Sequence, residues 1–144
     1  MKSKIKVYIA SHYSRKLEVM AAAYDLEKLG IQVVSTWHKE RQNPNNSLKD
    51  VSDTFKRYTA KRDIAELKSA THFVLFSLDP DALFTRGGHC VENGYALANN
   101  LPTLVVGPRQ HIFHYMPGIK KVETWRQGIK WLVSESESKH GKHD

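Results

Sequence analysis

"HFVLFSLDPDALFTRGGHCVENGYALANNLPTLVVG", residues 72–107, decides the fold. It opens on the most apolar run of the chain, "HFVLFSL" (72–78), and closes on a second, "TLVVG" (103–107). Both are rich in β-branched and aromatic side chains and short, so each reads as a buried strand. Between them a polar loop (79–87) carries Asp79, Pro80 and Asp81 and ends on glycine, and a helical stretch follows over 88–100. Strand, helix and strand in that order form a βαβ unit, whose two strands lie parallel in one sheet.

The same alternation continues outward in both directions. "KIKVYIA" (4–10) reads as a buried strand, followed by a helix over about 14–29 with Leu17, Met20, Ala21, Tyr24 and Leu29 at helical spacing. Gly30 stops that helix, and "IQVVST" (31–36) is the second strand. Residues 37–50, with "QNPNN" inside, form a polar loop of the length that usually marks a functional segment. A helix over about 52–70 follows, with Ala60, Ile64 and Leu67 as its buried stripe. Residues 108–122 read as irregular, and "TWRQGIKWLVS" (124–134) as a last amphipathic helix. The low-complexity end, "ESESKHGKHD" (135–144), is expected to be disordered.

One domain over 1–134 is predicted, of α/β class: a flavodoxin-like or Rossmann-like three-layer sandwich with a mostly parallel sheet of four or five strands. For strand order 2-1-3-4-5 the ligand crevice lies beyond the strand ends between strands one and three. The loops there are "ASHYSR" (10–15) and "SLDPDALFTRGG" (77–88), so the topology points back at the opening stretch.

Composition bounds the rest. No apolar run approaches the roughly 20 residues of a membrane span, and the lysine-rich start lacks a signal peptide's apolar stretch. The single cysteine, Cys90, excludes an intramolecular disulfide. A reduced, cytoplasmic protein without a membrane partner is the expectation. The formal net charge of +7 suggests an anionic partner, but the basic residues are scattered. No basic face interleaved with stacking aromatics exists, which argues against nucleic acid and for a small phosphorylated ligand.

Glu92 is the first candidate for chemistry. A carboxylate near a helix start is stabilised by about 0.3–1 kcal/mol through the helix dipole when exposed, which would account for it without function. Its position beside the crevice, behind Gly87 and Gly88 that allow close backbone approach, fits a nucleophile or ion-pair stabiliser instead. Asp63 falls on the shoulder of its helix's apolar stripe and is either a solvated charge paired with Lys61 or Lys56, or a second crevice carboxylate. Asp79 and Asp81 are accounted for by turn formation and are weaker candidates. Cys90 reads as a small apolar helix residue rather than an activated thiolate. His111 and His114 lack a third ligand at metal spacing, so no metal site is expected. No Walker, G-x-S-x-G or G-x-G-x-x-G pattern is present, and no cofactor is expected.

Taken together, "VYIAS" (7–11), "RDIAELKSATHFVLF" (62–76) and "RGGHCVENGYALANNLPTLVVG" (86–107) resemble the nucleoside 2-deoxyribosyltransferase superfamily, which includes hydrolases of nucleoside 5′-monophosphates. Gly88, Glu92, Gly94 and Ala96 match its G-x-x-x-E-x-G-x-A pattern. The resemblance implies an enzyme that cleaves the N-glycosidic bond of (deoxy)nucleosides or their 5′-monophosphates. Glu92 would be the nucleophile, Asp63 the residue managing protons at the leaving base, and Tyr8 the hydroxyl that holds the nucleophile. Asp79 or Asp81 would contact the sugar. Ser11, Ser14, Arg15 and Arg86, with Gly88, would line the substrate's 5′ end. It also implies a homo-oligomer with a contact at "HIFHYMPG" (111–118). The alternatives are a 2′-deoxynucleoside 5′-monophosphate hydrolase without transfer and a non-catalytic nucleotide-binding or sensing domain. An NAD-cleaving glycohydrolase of the Toll/interleukin-receptor type has a related sheet order and also uses a glutamate.

Overall fold

The apolar run after Thr71 sits at the middle of the sheet. In the computed structural model, which describes residues 4–40, 51–82 and 87–141, it forms strand β3 (His72–Phe76), every residue of which is buried. Strand β1 (Lys6–Ser11) pairs with it in parallel over five positions, from Val7 opposite His72 to Ser11 opposite Phe76. Strand β4 (Thr103–Val106) flanks β3 on the other side. The two-residue β2 (Gln32–Val33) and β5 (Ile119–Val122) form the edges, giving five parallel strands in the order β2-β1-β3-β4-β5.

Helices α1 (Lys16–Lys28), α2 (Asp53–Ser69), α3 (Gly88–Ala98) and α4 (Trp125–Gly141) cover both sides of the sheet. Helices α2 and α3 meet each other over β1 and β3. Helices α1 and α4 are tied by the Trp125 indole, which donates to Asp25 at 3.2 Å. A parallel sheet covered on both faces needs strands apolar on both faces, and "VYIA" in β1 and "FVLF" in β3 supply them. The predicted sandwich and strand order are what the chain adopts.

Several expectations about individual elements are corrected. In α1 the buried residues are Val19, Ala22, Ala23 and Leu26, whereas Leu17, Met20, Tyr24 and Leu29 are exposed. The face with the smaller side chains packs, because α1 lies close against β1 and β2 and the 3-10 turn Trp37–Lys39. In α2, Ala60 and Ile64 face outward, and the inward residues are Thr59, Asp63, Glu66 and Leu67. That face is polar because it borders the crevice rather than the core. The segment read as irregular contains β5, a short edge strand in which lysines at two of four positions hide the β pattern. Such edge lysines also discourage pairing with another sheet.

Helix α4 runs to Gly141, past the residue 134 boundary and through most of the stretch expected to be disordered. Its buried side continues through Leu132 and Ser136, and Glu135 bonds the buried His72 ring at 3.0 Å. That tertiary contact outweighs the polar composition. The "QNPNN" loop lies outside the described residues. No helix among the described residues is long and apolar enough to cross a membrane.

The reversed face of α1 has a direct test. Leu26→Ala should destabilise the protein by about 2–5 kcal/mol. Leu17→Gln should change stability by no more than about 0.5 kcal/mol in urea unfolding.

Candidate active site

The crevice at the β1–β3 switch point is framed from three elements. Tyr8 comes from the third position of β1, in the middle of the strand, and its ring is fully buried against Phe73 with the two planes 10° apart. Its hydroxyl donates to Glu92 Oε2 from α3. Asp63 enters from α2, near enough that its charge acts on both Tyr8 and Glu92. The structure therefore brings the three residues together as one coupled group.

Glu92 is the fifth residue of α3, and the first turn of that helix carries no acidic residue. Stabilisation of its anion by the helix dipole falls off within the first turn and does not account for its position. Burial instead pushes the Glu92 carboxyl up to about 8, assisted by the negative charges of Asp63 and Glu66 and opposed by the Tyr8 hydrogen bond. A carboxyl raised this way favours its protonated form in the unliganded site at neutral pH. Burial also raises Tyr8 far above the usual phenol range, with Glu92 and then Asp63 adding to it. The hydroxyl therefore stays a donor. Asp63 is raised by burial as well, against the lowering effect of Arg62.

The helix carrying Glu92 starts at Gly87, whose φ of +80° is a left-handed conformation that a side chain would strain. Gly88 has no such requirement, since a Cβ there would meet open space.

The remaining candidates are dispersed. Ser11 Oγ donates to the Phe76 carbonyl at 2.9 Å and clips the end of β1 to β3. Ser14 Oγ bonds Nδ1 of His12 at 2.7 Å. Arg15 is held by a two-point contact to Glu18 at 2.7 and 2.8 Å, and it also donates to the Ser77 carbonyl at 2.7 Å. Asp79 and Asp81 are exposed, and Asp79 Oδ1 accepts the Asp81 amide at 2.8 Å, the turn expected from "LDPD". Arg86 lies outside the described residues. Burial raises the Cys90 thiol, which makes it less reactive. His111 and His114 belong to no cluster able to hold a metal ion among the described residues.

Three charged residues were not anticipated. Arg62 forms ion pairs with Glu40 and with Asp63, the latter at 2.8 Å, and Glu66 lies 4.0 Å away. Glu66 in turn accepts from the Thr36 amide at 3.0 Å and the Thr36 hydroxyl at 2.6 Å. The signal that finds Glu66 is the i, i+4, i+7 spacing of Thr59, Asp63 and Glu66, which the apolar pattern of Ala60, Ile64 and Leu67 overrides on paper; it finds neither Arg62 nor Glu40.

No known family's sequence model matches this chain, and no curated protein matches it. Among solved structures it is similar to a 2-deoxyribosyltransferase from Bacillus psychrosaccharolyticus, described as a biocatalyst for the synthesis of antiviral and antitumoral nucleosides. The identity is 20%, the match covers 85% of this chain and 89% of that one, and the TM-score is 0.62. The likeness establishes a shared fold.

A raised carboxyl has a signature in stability. The folded state holds the Glu92 proton more tightly than the unfolded chain, so its contribution is fully present below the unfolded value near 4.5 and is lost as pH rises through about 8. Glu92→Gln, which mimics the protonated form, should raise Tm relative to wild type at pH 9. At pH 4 it should leave Tm unchanged. Thermal unfolding across that range checks the sign.

Proposed function

We propose that the protein is an N-glycosidic-bond enzyme acting on nucleosides or their 5′-monophosphates, with Glu92 as nucleophile. The observation that carries this is the shielded Glu92 carboxyl, bonded by a buried Tyr8 hydroxyl and coupled to a second carboxyl, Asp63, at the switch point of a sheet shared with a 2-deoxyribosyltransferase.

The mechanism follows from these groups. Cleavage of a C–N glycosidic bond passes through an oxocarbenium-like state, which a carboxylate on the opposite face of the sugar stabilises and then captures. After the Glu92 proton has passed to solvent, an oxygen of the carboxylate bonds the anomeric carbon as the bond to the base nitrogen breaks. The electron pair leaves with the base, and Asp63 delivers a proton to it. Water or a second base then attacks the anomeric carbon, gives its proton to the Asp63 carboxylate, and frees Glu92. Tyr8 keeps its hydrogen directed at Glu92 Oε2 throughout, which orients the carboxylate and favours its ionised form. Ionisation is further favoured by the positive charge developing on the sugar.

Of the two arginines expected at the substrate's 5′ end, Arg15 is engaged by Glu18 and the Ser77 carbonyl, and Arg86 lies outside the described residues.

Incubation with deoxynucleosides, deoxynucleotides and NAD, with and without an acceptor base, tests the assignment by chromatography of released base. Base is expected from at least one deoxyribosyl substrate, and Glu92→Gln should reduce its release by a factor of about 10³ or more while binding survives. Release from none of the panel sinks the assignment. With a substrate whose base is already cationic, such as a 7-methylpurine deoxynucleoside, no proton donor is needed. Its kcat/KM should then rise with pH through about 8, the value of Glu92.

The assembly is proposed to be a homo-oligomer. Ile112, Phe113, Tyr115 and Met116 present large apolar side chains within five consecutive positions, and the first three are more than half exposed. Light scattering should report a dimer or larger, and Phe113→Glu with Tyr115→Glu should shift it to monomer. A monomeric, fully active wild type removes this part of the proposal.

A further inference from the structure

We infer that Arg62 is a positioning residue for the proton-managing carboxyl. It holds Asp63 by one oxygen, leaves the other for the base, and keeps three neighbouring carboxyls from collapsing into a shared-proton cluster. The inference rests on the functional assignment above for its kinetic arm alone.

The geometry is specific. Both Nε and Nη2 of Arg62 bond the same atom, Asp63 Oδ1, at 3.2 and 2.8 Å. Among the described residues no hydrogen bond reaches Oδ2. A guanidinium facing a lone carboxylate tends to engage both oxygens in a fork. Here both nitrogens of one edge converge on a single oxygen, while Nη1 pairs with Glu40 at the end of the preceding 3-10 turn. Glu40, Asp63 and Glu66 all have side chains at most one-quarter exposed, and Arg62 is 16% exposed. The groups that face this cluster are Glu40 from the segment after β2, Asp63 and Glu66 from α2, Glu92 from α3 and Tyr8 from β1. Arg62 is the only cation shown pairing with these carboxyls among the described residues.

This arrangement answers a problem that the site creates for itself. Half-buried carboxyls packed together take up protons and share them, and an acid that shares its proton with a neighbour is poorly directed. One fixed cation pairs with Glu40 and fixes the Asp63 rotamer through Oδ1. Oδ2 is then the atom from which a proton leaves toward the base. Glu66 is held separately by the Thr36 amide and hydroxyl, so it does not compete for the guanidinium at close range.

The test uses Arg62→Gln and Arg62→Lys beside wild type and Glu92→Gln. Carbon-13 carboxyl NMR of the unliganded protein follows the titration of Asp63. Its midpoint should move up by about 1 unit or more in Arg62→Gln, because an opposite charge has been removed, and should stay near wild type in Arg62→Lys. In kinetics, Arg62→Gln should lower kcat by about 10² on an ordinary nucleoside, with KM changed less than threefold (about the noise of such a split). On a substrate with a cationic base, which needs no proton, kcat should be nearly unchanged. An equal loss on both substrates, or an Asp63 midpoint that does not move, overturns the inference. If wild type releases no base, or Glu92→Gln retains activity, the functional assignment fails instead, and the NMR arm still judges Arg62. Should Arg62→Gln fold poorly, Arg62→Lys decides: it keeps the charge but loses the fork, so its Asp63 midpoint holds while kcat on the ordinary nucleoside falls.

Discussion

The hydrogen bond from Tyr8 to Glu92 is the constraint around which the site is arranged. It joins the middle of a strand buried from Val7 to Ser11 to the second turn of a helix, across 84 positions of sequence. Burying a carboxyl is costly unless the proton stays or a donor compensates, and here both occur. The phenol cannot relax away, because its ring is packed on Phe73 within the central pair of strands. The helix cannot slide, because its start is fixed by the left-handed Gly87 and its inner surface by buried Ala96 and Asn93. A carboxyl buried this firmly costs stability that a neutral isostere would not.

The electrostatic character of the site runs opposite to that of the whole chain. The protein carries a net +7, yet Glu40, Asp63, Glu66 and Glu92 converge on the crevice with Arg62 among them. Carboxyls gathered in this way favour a ligand group that is or becomes positive and disfavour a phosphate set beside them. Overall basic charge and local acidic charge therefore answer different questions, the first about encounter with an anion and the second about what the crevice holds.

The central part of the fold was legible because β1, β3 and β4 are apolar on both faces and leave no other assignment. Glu92 and Tyr8 were legible through their resemblance to a family, which links side chains far apart in sequence. Periodicity failed at α1 and α2 for two distinct reasons. In α1 the larger apolar residues lie outside, and close packing selects valine, alanine and leucine instead. In α2 the inward face borders the crevice, so the polar residues Thr59, Asp63 and Glu66 carry the burial that apolar residues carry elsewhere. A helix that serves a site presents the reverse of the pattern used to find helices that serve a core. Asp63 was accordingly placed on a shoulder when it faces inward. The continuation of α4 was invisible because one buried histidine, His72, selects Glu135 out of a polar run.

The back of helix α3 shows how the loops around the buried Glu92 are kept in register without charge. Gln110 Oε1 accepts the Leu78 amide at 3.1 Å, which directs its amide nitrogen at His89 Nε2, 3.0 Å away. His89 must therefore present a bare Nε2. The Gln110 amide donates to His114 Nδ1 at 2.9 Å, so His114 carries its proton on Nε2 and gives it to Asn93 Oδ1 at 2.7 Å. Both tautomers are dictated by backbone donors that cannot reverse, and protonation of either ring would set hydrogen against hydrogen. Burial lowers both histidines in the same sense, His114 to about 4. The exits of β3 and β4 are thus locked onto α3 by neutral groups. Near a carboxyl whose proton must come and go, neutral struts have an advantage over ion pairs: they hold position without shifting its affinity for that proton.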